Sequence, residues 1–158
     1  MADQTRQTVV AVTVADGFRT RIYTNGSSED PSPAAAGRTI AADAPAESGG
    51  LGEAPTPTDL FYASLAACKS MTAQMYAQRK GWPLREAVVR VHEEVQRSEN
   101  DPNGKAHPHL IAEVELRGDL SEDQRARVMA IIEGCHVQKA IEAAPRIVSR
   151  EITATGPA

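Results

Sequence analysis

Cys68 and Cys135 are the only cysteines in the 158-residue chain, and their side chains are the ones best suited to covalent chemistry. The nucleophile in such chemistry is a thiolate, so a reactive cysteine needs its pKa lowered from about 8.5. Cys68 falls about three turns into a stretch that reads as a helix, beyond useful reach of the helix dipole. Burial there raises a thiol's pKa further. A nearby cation must therefore compensate, and arginine suits the task because it stays charged when desolvated. Arg19 and Arg21 stand two residues apart, on one face of an expected strand. The plain reading makes such a pair a solvated edge; the functional reading brings one of them to the thiol. Cys135 follows Gly134 at an expected helix start, so local physics alone favours it as the more reactive sulfur. Against any chemistry stands ordinary packing, since free cysteine is often a small buried hydrophobe.

The element that must position Cys68 is the stretch 57–80. Thr56 can cap it, Pro57 suits the first helical position, and Asp59 lies where a capping box places its acid. Gly81-Trp82-Pro83 closes it, with Gly for a left-handed cap and Pro to forbid continuation. Residues 60–68 are apolar or small almost all the way round, which implies a buried central helix. The run is too short and too interrupted for a membrane span.

The rest of the chain alternates strand and turn signals. Residues 8–15 are β-branched, Asp16-Gly17 is a turn, and Phe18–Thr24 forms a second strand up to Asn25-Gly26. Residues 27–36 read as loop, 38–43 as a short third strand, and the Gly- and Pro-bearing stretch 44–56 as a surface loop. After the helix, 87–97 reads as a strand with Ala87, Val89, Val91 and Val95 on one face. A loop over 98–108 then leads into His109–Gly118, where Leu110, Ala112, Val114 and Leu116 face inward. Ser121 to Gln124 is a capping box opening a helix to Glu133, and a short helix begins near Cys135. A final strand is expected over Arg146–Thr155, with Val148, Ile152 and Ala154 in register. Hairpin-linked strands plus a solvent-avoiding helix give an α+β fold with antiparallel sheets, in one domain spanning 1–158.

A net charge of −4 and the lack of a Lys/Arg cluster argue against nucleic acid as a partner. Residues 1–7 hold no apolar stretch of the secretory kind, so the two thiols are expected reduced in the cytoplasm. His92, His107 and His109 offer no recognisable third-ligand spacing, and no metal or other cofactor is expected.

Two segments together carry a family resemblance. Pro57-Thr58-Asp59-Leu60, then Leu65-Ala66-Ala67-Cys68, and after the helix Gly81-Trp82-Pro83-Leu84, resemble the first-cysteine helix of the OsmC/Ohr family. Gly134-Cys135-His136-Val137-Gln138-Lys139-Ala140-Ile141 resembles its second-cysteine segment. The resemblance implies antiparallel sheets wrapped around long central helices, with two subunits intertwined as a homodimer. It implies a peroxidase in which Cys68 attacks a hydroperoxide, Cys135 resolves the product as a disulfide, and an external dithiol reduces it. An arginine on the N-terminal hairpin activates the thiol in that family, which points to Arg19 or Arg21.

Two positions depart from the pattern. The family's arginine-holding glutamate, ten residues before the first cysteine, is Thr58 here, leaving Asp59 or Glu53 to substitute. His136 stands where proline often follows the second cysteine. The apolar neighbours Leu60, Phe61, Leu65 and Met71 suit an organic hydroperoxide better than hydrogen peroxide. Two alternatives stay open: a dimeric module that binds a small ligand or senses redox state, and a thiol hydrolase or transferase using Cys135 with His136.

Overall fold

A computed structural model describes residues 8–13, 17–26, 38–96 and 107–151. Asp16, the loops at 27–36 and 98–106, and the expected strand ends at 14–15, 97 and 152–155 lie outside the described residues. The chain divides into two compact units, Met1–Ser64 and Leu65–Ala158.

The first unit holds three antiparallel strands, β1 (Thr8–Thr13), β2 (Thr20–Gly26) and β3 (Arg38–Ala42), in that spatial order. Thr13 faces Thr20 across the hairpin, their hydroxyls 2.7 Å apart, and Ile22 faces Ile40 on the other edge. The run after β3 is organised by one buried carboxylate. Asp43, 2% exposed, accepts from the backbone N–H of Ala44 at 2.8 Å, Leu51 at 3.1 Å and Glu53 at 3.3 Å. Its own N–H donates to the Pro55 carbonyl at 3.1 Å, so the loop folds back on the end of β3. Gly50 is required there, because a Cβ would sit 1.9 Å from the Ala44 carbonyl oxygen.

Helix α1 (Pro57–Lys80) begins in the first unit and continues through the second. Its cap is reciprocal: Thr56 N–H donates to Asp59 at 2.9 Å, and Asp59 N–H to the Thr56 hydroxyl at 3.1 Å. At the far end Gly81 is left-handed (φ 67°), with Trp82 N–H bonded to the Ala77 carbonyl and Gly81 N–H to that of Gln78. Those two bonds are the double closure of a Schellman motif.

In the second unit β4 (Leu84–Gln96) pairs antiparallel with β5 (His107–Gly118), starting three residues earlier than the apolar alternation of 87–97 implies. Val95 departs from the expected inward face and is largely exposed. Helix α2 (Glu122–Ile132) opens on the Ser121–Gln124 capping box, and α3 (His136–Glu142) follows. The core joins Ala73 and Ala77 of α1, Leu84 and Leu116 of the hairpin, Leu120, and Val128 and Ile132 of α2. Arg125 ties α2 to the hairpin by donating to the carbonyls of Leu116 (2.6 Å) and Gly118 (2.9 Å).

Two expectations are corrected. No strand forms over 146–151, where the chain is exposed and irregular; a strand needs a partner edge, and these residues have none among the described residues of one chain. Nor is α1 buried all round. Leu65, Lys69, Ala73 and Ala77 form its buried face, while Ala67, Met71 and Met75, on the opposite face, are exposed.

Candidate active site

The two cysteines meet in the second unit. Cys68 is half-buried on α1, and Cys135, 2% exposed, is the N-cap of α3. As a cap, Cys135 Sγ accepts the Gln138 N–H at 3.4 Å. Its thiol in turn hydrogen-bonds Cys68, whose sulfur also receives the backbone N–H groups of Val137 and His136.

This geometry polarises the pair. Burial works to raise the Cys68 pKa, but the α3 backbone donors and the Cys135 thiol outweigh it and hold that pKa below the ordinary thiol value. The Thr72 hydroxyl donates to the Cys68 carbonyl at 2.7 Å, so it reaches the sulfur only by giving up that bond. For Cys135 the balance is reversed. Burial pushes its thiol up, the Gln138 N–H opposes this, and the neighbouring Cys68 thiolate pushes it up further. The arrangement makes Cys68 the more acidic of the two thiols. Local physics read from sequence favours the opposite assignment, because Gly134-Cys135 marks the helix start. The backbone N–H groups of His136 and Val137 serve the Cys68 sulfur, while that of Gln138 serves Cys135 itself.

Sequence reasoning missed Lys69. Its ammonium donates to the Ile132 carbonyl at 3.5 Å, to Glu133 at 3.2 Å and to the Gln138 side chain at 2.5 Å. Its charge lowers the Cys135 pKa, against the rise caused by burial. Glu133 stays below the usual carboxylate value because the Lys69 and Gln138 hydrogen bonds outweigh its desolvation. The available signal was spacing: Lys69 shares the four-residue rhythm of Leu65, Ala73 and Ala77, which marks the buried face. Beside this cluster lies a cavity of about 550 Å³, lined by Leu65, Lys69, Leu110, Ile111, Gln138 and Ile141 among others.

The arginines belong to the first unit. Arg19 pairs with Glu53 at 2.5 Å, and Asp43 holds the Glu53 backbone in place. Arg19 and Arg21 line one cavity of about 370 Å³ with Val12, Phe18, Tyr23 and Leu51. Asp59 is engaged by the Thr56 cap, which leaves Glu53 as the acid on Arg19. Of the apolar candidates, Leu65 is buried, Leu60 half-buried, and Phe61 and Met71 are exposed. His136 is exposed at the start of α3.

Comparison with known proteins bears on the fold and the family. Residues 50–150 match the family model described as OsmC-like protein. No curated protein sequence matches the chain. Among solved structures, an OsmC-like protein from Mycoplasma pneumoniae is similar at TM-score 0.63 and 15% identity, covering 89% of each chain. An organic hydroperoxide resistance protein OsmC from Legionella pneumophila aligns at TM-score 0.56 and 17% identity, over 88% of this chain and 90% of its own. The organic hydroperoxide resistance protein OhrB of Bacillus subtilis aligns at TM-score 0.50 and 18% identity, over 85% and 89%. At these identities the structures speak for the fold, and the family model spans most of the chain including both cysteines. With its antiparallel α+β architecture and paired thiols, the chain belongs to the OsmC-like family.

Proposed function

We propose that this protein is a thiol peroxidase that reduces organic hydroperoxides. The Cys68 thiolate attacks the distal peroxide oxygen, an S–O bond forms as the O–O bond breaks, and the alkoxide takes a proton to leave as an alcohol. Cys135 then displaces the oxygen of the Cys68 sulfenic acid, giving a disulfide and water, and an external dithiol restores both thiols. The observation that carries this reading is the meeting of the two thiols at the start of α3, whose N–H donors lower the Cys68 pKa while burial raises that of Cys135. No cofactor is needed, since the dithiol supplies the electrons, and a reducing compartment such as the cytoplasm suits the cycle.

Arg19 is the hairpin arginine of this reading, because Glu53 fixes it, and Glu53 takes the place of the glutamate absent at Thr58. The apolar wall of Leu65, Leu110, Ile111 and Ile141 supports an organic substrate. The whole chain acts as one OsmC-like domain within an intertwined homodimer. The exposure of Met71 and Met75 (59% each) and of Ile147 (89%) supports a second copy covering them. The test is steady-state turnover with a dithiol reductant. Cumene hydroperoxide is expected to give a higher kcat/KM than hydrogen peroxide. Consumption of neither peroxide above the protein-free rate would overturn the reading.

A further inference from the structure

Lys69 follows the nucleophile in sequence, yet the reaction described above does not use it. Its side chain is only 4% exposed, on a helix face otherwise lined by Leu65, Ala73 and Ala77. An ammonium leaves water at a high cost unless it is paired, so an apolar side chain would be the simpler occupant. What Lys69 grips is informative. Gln138, whose side-chain oxygen it holds at 2.5 Å, is the residue whose backbone N–H bonds Cys135. Glu133, held at 3.2 Å, lies two residues before Cys135, and the Gln138 amide also donates to it at 3.3 Å. Lys69 therefore clasps the chain on both sides of Cys135 from the turn of α1 that carries Cys68.

Resting on the peroxidase reading above, we propose that Lys69 is a positioning residue for the resolving half of the cycle: it fixes Cys135 against Cys68 and supports negative charge on Cys135 as that sulfur attacks. In this step Cys135 loses its proton, its sulfur attacks the Cys68 sulfenic sulfur, and the S–S bond forms as the S–O bond breaks. The departing hydroxide takes up a proton and leaves as water. Cys135 sulfur is oxidised and the sulfenic sulfur reduced; the organic hydroperoxide is the oxidant for the cycle.

The two thiols are thereby ordered in time. Before oxidation, burial and the neighbouring Cys68 raise the Cys135 pKa, against the Gln138 N–H and the Lys69 charge. Oxidation makes Cys68 a neutral sulfenic acid, which removes the thiolate's opposition while Lys69 remains. The titratable groups around the pair are Cys68 and Lys69 from α1, Glu133 after α2, His136, Lys139 and Glu142 from α3, and His109 from β5. Of these, Lys69 contributes the attraction that lowers the Cys135 pKa, and Glu133 is its counter-charge.

The experiment compares Lys69→Met, Lys69→Arg and Glu133→Gln with the parent after one equivalent of cumene hydroperoxide. Rapid quenching and mass analysis give the rate of disulfide formation relative to sulfenic acid formation. Lys69→Met is expected to lower that ratio at least about threefold at neutral pH, because a smaller thiolate fraction is only partly offset by higher nucleophilicity. Its pH profile moves to higher pH, and Lys69→Arg restores it. Glu133→Gln moves the profile the other way, since Lys69 loses its counter-charge. A merely structural clasp would slow resolution in both variants, so shifts in the same direction, or none, overturn the proposal. Should Lys69→Met not fold, the shift to lower pH in Glu133→Gln decides alone. Should the parent form no sulfenic acid, the peroxidase reading fails by itself. The same variants are then compared with diamide, whose adduct on Cys68 is displaced by Cys135; opposite shifts support the role of Lys69 and no shift overturns it.

Discussion

At the scale of single residues, the chemistry turns on which sulfur is the more acidic. Cys68 has its pKa lowered in the folded state, so it favours folding above the unfolded thiol value and loses that contribution as pH falls through the folded value. Cys135 is raised, so its contribution is present below the unfolded value and lost as pH rises through the folded one. Iodoacetamide should therefore modify Cys68 first, with an apparent pKa below that of a free thiol. Cys135→Ala removes a donor to the Cys68 thiolate and should shift its alkylation profile to higher pH, whereas Cys135→Ser keeps a donor and should shift it less. Equal profiles for the two variants would remove Cys135 from the activation of Cys68. The cysteines themselves were legible in the sequence because no other thiol competes with them. Which backbone donors serve which sulfur was not, because it depends on where the first N–H groups of a seven-residue helix point. Lys69 stayed hidden for a related reason: a lysine in an apolar stretch reads as an interruption until the helix face it occupies is known.

At the scale of elements, caps and turns were the most readable features. Thr56 with Asp59, Ser121 with Gln124, and Gly81 each satisfy helix-end groups through bonds among residues a few positions apart, so sequence alone specifies them. The 44–56 loop was recognised as a loop, but its organisation was not. Asp43 at the end of a strand looks like any turn carboxylate, and its contacts reach as far as Glu53. Asp43→Ala leaves three backbone N–H groups without their acceptor and should cost about 2 kcal/mol or more. Amide hydrogen exchange at Leu51 and Glu53 should quicken most, and the Arg19–Glu53 pair should loosen with it. Unchanged exchange at both amides would show that the loop holds itself without Asp43.

At the scale of the whole molecule, the apolar surface of one copy calls for a cover. Met71 and Met75 lie on the face of α1 opposite its buried row, and Ile147 and Val148 extend from the segment that was expected to be a strand. The alternation in 146–155 was a sound strand signal, but sequence does not say whether the partner edge lies in the same chain. We expect a homodimer at micromolar concentration with an interface of about 2,000 Å² or more. Sedimentation should find it, Met71→Glu should weaken it, and a monomeric parent would contradict it. The assembly matters only if it serves the thiol pair, and one measurement tests that pair most directly. The reduced protein is treated with a single equivalent of cumene hydroperoxide, and its cysteines are mapped by mass spectrometry. A Cys68–Cys135 disulfide is expected in the parent, a sulfenic acid on Cys68 in Cys135→Ser, and an unmodified Cys135 in Cys68→Ser. Oxidation of Cys135 in the Cys68→Ser variant at the parent's rate, or two free thiols remaining in the treated parent, would contradict this expectation.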